Sequence, residues 1–239
     1  MPATLPILVF LIACCVIYGT ALAVFTMTPY GIQHAAALAG LPPATRNRVT
    51  TFWAGLLILW FLYAWNCLAP QMFGNILPVS FPIRALTSFL IPVVVGSLLL
   101  FTLPVLRSIN RTMPSHWPVA IQTFRLIGAI FLLYQSFGSL PAEFALWAGW
   151  GDILVGVLAP FVAWNLKKRG RYAIPLAIAW NWLGIADFVS AIVHAIHSGA
   201  RLDYPIGIIP GYFVPLCILV HLFSLRNLAL QGRGNPAGS

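Results

Sequence analysis

Residues 142–171 read AEFALWAGWGDILVGVLAPFVAWNLKKRGR. The first 25 positions carry only Glu143, Asp152 and Asn165 as strongly polar side chains, and four of the next five residues are basic. At 1.5 Å per residue such a helix is long enough to cross a hydrocarbon core of about 30 Å. It has no polar face of the kind a soluble helix shows to water. A cluster such as Lys167, Lys168, Arg169 and Arg171 at the end of an apolar run marks the cytoplasmic side of a membrane. Asp152, stranded in the middle, needs a partner or a purpose.

The same pattern recurs along the chain. We read seven spans, at approximately 5–28, 50–69, 84–106, 118–138, 142–166, 173–197 and 206–228. Hydrophobic residues make up 60% of the 239 positions, charged residues only 7%, and the mean hydropathy is +0.91. That composition excludes a disordered chain, a disulfide scaffold and an ordinary soluble domain. The expected fold is all-α, a polytopic transmembrane bundle of seven helices forming one domain over residues 1–239. The connections are too short to hold a soluble domain, and no internal repeat is evident. Prolines 92, 104, 160, 175 and 215 interrupt the spans and are read as packing kinks.

Placing the charges gives an orientation. Arg46, Arg48, Arg107, Arg111, Lys167, Lys168, Arg169, Arg171, Arg226 and Arg233 fall on one side, Arg84 and Arg201 on the other. The positive-inside rule puts the ten in the cytoplasm, with the N-terminus outside and the C-terminus inside. The first span has no basic residue before it and is longer than a signal-peptide core, so it reads as an uncleaved helix. A bacterial inner membrane is the expected location. The net charge of +9 does not indicate nucleic acid, because the basic residues form no stripe with interleaved aromatics. Trp53, Trp117, Trp147 and Tyr204 lie near span ends, where amphipathic rings favour the headgroup level. Trp60, Trp150 and Trp180 lie deeper and are expected to pack or to line a cavity. Cys14, Cys15, Cys67 and Cys217 read as small hydrophobes. Asn66 and Gln71 are assigned to packing or to an oligomer surface in the first three spans, and the tail after residue 230 to fraying.

Four ionisable residues fall inside spans: Arg125, Asp152, Asp187 and His221. Counting along antiparallel spans places them at depths within about two helical turns of one another. Arg125 shares a face with Gln122, Gly128 and Gln135. Asp152 is flanked by Gly149 and Gly156. Gly184, Asp187, Ala191 and His194 repeat at helical spacing, as do Cys217, His221 and Ser224. Small neighbours allow close helix approach, so these residues are expected to point into the bundle.

Three functional classes follow. One arginine neutralises one carboxylate, and two carboxylates are present. A titratable second carboxylate beside a histidine is what proton coupling requires. The leading expectation is a small-solute or proton-coupled transporter centred on Arg125, Asp152, Asp187 and His221, with Gln122, Gln135, His194 and His197 as secondary candidates. Asp187 with His221 is the pair expected to exchange the proton, and Arg125 would hold an anionic solute or serve as counter-charge. The second class is a membrane-embedded enzyme or redox subunit. Gly149–Asp152 spells GWGD, which resembles the short GxGD pattern of intramembrane aspartyl proteases. The resemblance covers four residues, and Asp152 precedes Asp187, the reverse of that family's order, so membership is not claimed. A haem between spans six and seven, or a metal on His194, His197 and Asp203, belongs to the same class; no cofactor is the default expectation. The third class is a structural or accessory subunit held by a polar core. The expected partners are the lipid bilayer, a small polar or anionic solute, and a second copy or another membrane subunit. A retinal protein is excluded because both lysines lie in one loop. No nucleotide-binding motif is present.

Overall fold

In a computed structural model of the protein, residues 6–68 and 81–232 are described. Gln71, Arg233 and the tail beyond Gly232 lie outside the described residues. The described chain is helical throughout. We number eight helices: α1 Ile7–Leu38, α2 Pro43–Leu68, α3 Phe81–Thr102, α4 Pro104–Thr112, α5 His116–Ser136, α6 Ala142–Lys168, α7 Ala173–Ser198 and α8 Ile209–Gln231. All except α4 are long and apolar enough to cross a membrane. The outward faces carry large apolar side chains, among them Ile7, Leu59, Phe161, Trp182 and Ile196, each more than half exposed. Such a surface is solvated by lipid rather than by water.

The expected spans agree with the helices to within a few residues except in the first three, and α2 starts at Pro43 rather than near residue 50. The first helix continues ten residues past position 28, through Pro29, because its extension packs Ala35 and Ala36 against Leu106, Ile109 and Met113. The third span does not run through residue 106. Leu103 is extended (φ −74°, ψ 119°), as the residue before proline prefers, and Pro104 starts a separate helix. This short α4 buries Leu106, Ile109 and Asn110 and turns Arg107 and Arg111 outward. Trp150 is 59% exposed, whereas Trp60 and Trp180 are buried. Gly149 and Asp152 occupy the inward face of α6, which sends Trp150 toward lipid.

One end of the bundle is basic. The Thr112 hydroxyl donates to Ala35 O at 3.2 Å, and the Ser115 hydroxyl donates to Gln231 Oε1 at 2.7 Å. Val119, Ala163, Ala177 and Leu228 share one apolar cluster, which brings the ends of α5, α6, α7 and α8 to the same level. Nine of the basic residues, from Arg46 to Arg226, lie at or beside this end. The other end is closed by a core of Ile130, Phe131, Phe144, Ile208, Tyr212 and Phe213, with α1 and α2 packed against it.

Two irregularities shape the interior. Residues Ile121–Gly128 of α5 form a 3-10 helix, in which every third residue eclipses. Gln122, Arg125 and Gly128 therefore stack on one buried edge, while Leu126 faces outward. In α8, Ile209–Phe213 form a π-turn. Pro215 has no N–H to give Gly211 O four residues back, and Trp60 Nε1 of α2 donates to that oxygen at 3.3 Å.

Candidate functional site

The site is a single arginine surrounded by helices α6, α7 and α8. Arg125 is 1% exposed. Its Nε donates to Asp152 Oδ1 at 2.8 Å, and its Nη2 lies 2.8 Å from the same oxygen. Nη2 also donates to Asp187 Oδ2. Nη1 faces Gly184 O at 3.3 Å and His221 Nε2 at 3.3 Å. A guanidinium has five N–H groups, and these contacts supply an acceptor for each. Phe188 lies under its plane, 4.0 Å from Cζ to the ring centroid.

Hydrogen bonding assigns the histidine. The arginine offers donors only, so His221 Nε2 accepts. Nδ1 then carries the ring proton and donates to Asn181 Oδ1 at 2.9 Å. The Asn181 amide nitrogen donates to Ala177 O at 2.7 Å and to the Ser224 hydroxyl at 3.1 Å, which leaves its oxygen for the histidine. His221 is therefore a neutral imidazole in this arrangement. Trp180 packs beside it, ring centroids 5.0 Å apart, and donates its own N–H to Val155 O at 3.1 Å.

Glycines make the space. A Cβ on Gly128 of α5 would overlap Asp152 of α6. One on Gly151 of α6 would overlap Asp187 of α7, and one on Gly184 of α7 would overlap the His221 ring of α8. Gly156 of α6 would bring a Cβ to 3.4 Å from Arg125 Cβ. Each polar side chain thus sits in the gap left by a missing side chain on a neighbouring helix.

All four principal candidates from the sequence meet here, and Gln122 lies one 3-10 turn away, its amide donating to Cys217 O at 3.0 Å. The expected Asp187–His221 pair is not a direct contact: both histidine nitrogens are taken, by Arg125 and Asn181, and Arg125 stands between the two side chains. Gln135 lies at the far end of α5 and makes no part of the cluster. His194 pairs with Glu143 at 3.3 Å and stacks on Trp147, with planes 5° apart and centroids 5.0 Å apart. His197 and Asp203 are exposed. Among the described residues no group of three His, Cys, Asp or Glu side chains could hold a metal ion. Between α7 and α8, burial and the Tyr18 hydroxyl at 2.7 Å push the Tyr204 phenol above its ordinary range.

Sequence reasoning missed Asn181 and Phe188, and met Gly151 only as part of GWGD, not as the seat of Asp187. Asn181, Gly184 and Phe188 share a face at i, i+3 and i+7, and a mid-span amide on that face was the available signal.

Fold and site together define an all-helical bundle of membrane type with a buried Arg–Asp–Asp–His cluster. Residues 80–229 match the family described as a domain of unknown function (DUF8737), and the chain belongs to that family. The match spans α3 to α8 and so contains the whole cluster; α1 and α2 precede it. No curated protein and no solved structure matches the chain.

Proposed function

We propose that this chain is a small proton-coupled carrier of a bacterial inner membrane, N-terminus outside and C-terminus in the cytoplasm. The observation that carries the reading is one guanidinium shared by two buried carboxylates. With His221 neutral, the cluster balances only when one carboxylate holds a proton. Removing that proton leaves a net negative charge in a medium of low dielectric, a change large enough to drive a rearrangement of helices. Asp187 is the exchanging group. It takes one N–H from Arg125 where Asp152 takes two, and its side chain is the more exposed, 11% against 8%. Arg125 has no N–H left for an anionic solute, so its role is the counter-charge that resets the acid. The basic end, with nine described Lys and Arg and no acid, supports the cytoplasmic assignment of that face.

Infrared difference spectroscopy tests this without knowledge of the solute. Bilayer-reconstituted protein is compared between acid and alkaline buffer. The carboxylic-acid C=O band that appears on acidification is expected to vanish in Asp187→Asn and to persist in Glu143→Gln and Asp203→Asn. A band unchanged in a folded Asp187→Asn variant overturns the reading.

A further inference from the structure

Three buried amide oxygens inward of the cluster have no donor in the protein: Gln122 Oε1, Asn110 Oδ1 and Asn227 Oδ1. All three residues are 0% exposed. None can be cured by rotating the amide. The Gln122 nitrogen is held by Cys217 O, the Asn110 nitrogen by Phe223 O at 3.0 Å, and the Asn227 nitrogen by Asn110 O at 2.5 Å and Met113 O at 2.8 Å. Exchanging oxygen and nitrogen would set carbonyl against carbonyl. Buried acceptors in native proteins are satisfied, and in polar interiors the missing donor is water.

Their placement is ordered. On α8, His221, Ser224, Asn227 and Gln231 follow one another at three or four residues, a stripe running from the cluster to the basic end. Asn181 faces its upper part and Asn110 its lower part, while Gln122 reaches α8 at Cys217 O, one turn before His221. Gln231 at the bottom donates to Met113 O at 2.9 Å and accepts from Ser115. The opposite half of the bundle differs. There Tyr134 and Tyr212 hydroxyls are also without partners, but each sits singly among aliphatic and aromatic side chains. Tyr212 is ringed by Phe25, Trp60, Phe61 and Phe213.

We infer that a file of water molecules runs along the α8 polar stripe and connects the Arg125 cluster to the basic end alone, the other end being sealed by the aromatic core. The orphan amide oxygens accept hydrogen bonds from this water. What the water carries, protons to and from Asp187, rests on the proton-coupling reading; the hydration stands on the orphan oxygens.

Hydroxyl-radical footprinting on the unaltered chain in nanodiscs reads the water directly. Trp180, beside His221, and Trp60, in the aromatic core, are both at most 9% exposed. Trp180 is expected to oxidise severalfold faster; oxidation no faster than that of Trp60 overturns the inference. A second measurement uses silver ions on oriented vesicles, with Cys14, Cys15, Cys67 and Cys217 changed to Ala. Ser224→Cys is expected to be blocked by silver from the basic face only, and Ala148→Cys from neither. Blocking of Ser224→Cys from the opposite face, or equal protection of both thiols, overturns it. The two readings fail separately. Fast Trp180 oxidation with no Asp187 infrared band upholds the water file and removes the coupling. A dry stripe with the band intact overturns the file and leaves Asp187 as the exchanging acid.

Discussion

Helices α1 and α2 are held to the bundle differently from α5 to α8. On α1, Ala13, Ile17, Ala21 and Val24 form a stripe that packs with Leu57, Trp60, Phe61 and Ala64 of α2, and edge-on rings such as Phe25–Phe61 fill the seam. On α5 to α8 the contact is made by charges and amides seated over glycines. The first kind of packing tolerates exchange of one apolar shape for another, since its strength is distributed over many weak contacts. The second is specified atom by atom, because a half-satisfied polar network is worse than none. The part that must be specified falls inside the family match, and the part that need only fit precedes it.

The sharpest way to break this difference is Arg125→Met. It leaves two carboxylates facing each other without a cation, a loss of about 3–5 kcal/mol, or failure to accumulate. Thermal unfolding in detergent measures it. Adding Asp152→Asn and Asp187→Asn to the same chain is expected to restore most of the loss, because the cost lies in unpaired charge rather than in missing volume. A triple variant as unstable as the single one would show that the cluster holds the fold by shape.

Glycines offer the next contrast. Gly184→Ala drives a methyl into the His221 ring and toward Arg125, an overpacking cost of about 1–3 kcal/mol. Gly19→Ala on α1 meets nothing within 4 Å and is expected to leave the melting temperature unchanged or slightly raised. Equal effects at the two positions would erase the distinction between the regions.

Trp60→Phe is the smallest test. It keeps the ring in the α1–α2 seam but removes the donor to Gly211 O, at a cost of about 1 kcal/mol. A loss as large as that of Arg125→Met would mean that α2 is tied to α8 by this hydrogen bond rather than by its apolar stripe.

Much of this was legible beforehand, for physical reasons. Hydropathy marks a lipid-solvated helix by length alone, which is why seven spans emerged at nearly the right places. An ionisable residue inside such a span has few options, so Arg125, Asp152, Asp187 and His221 could be expected to converge. Connectivity within the cluster was not legible. A guanidinium can meet two carboxylates and an imidazole in several ways, and the choice depends on the 3-10 twist of Ile121–Gly128, which has no hydropathy signature. The break at Leu103 could have been read from Pro104, but a proline inside an apolar run is as often a kink. Asn181 went unnoticed because an uncharged amide hardly alters the hydropathy of its span.

The glycine seats have a consequence for how the chain is made. Gly128 precedes Asp152, Gly151 precedes Asp187, and Gly184 precedes His221, each on the helix immediately before the side chain it receives. A ribosome delivering this chain from its N-terminus therefore releases Asp152, Asp187 and His221 each after the helix that will shelter it. Each new segment can leave the insertion machinery as a hairpin with its predecessor, its polar group already covered. The order of residues in the sequence is thus also an order of assembly, in which no carboxylate has to wait in lipid for a partner still to be synthesised.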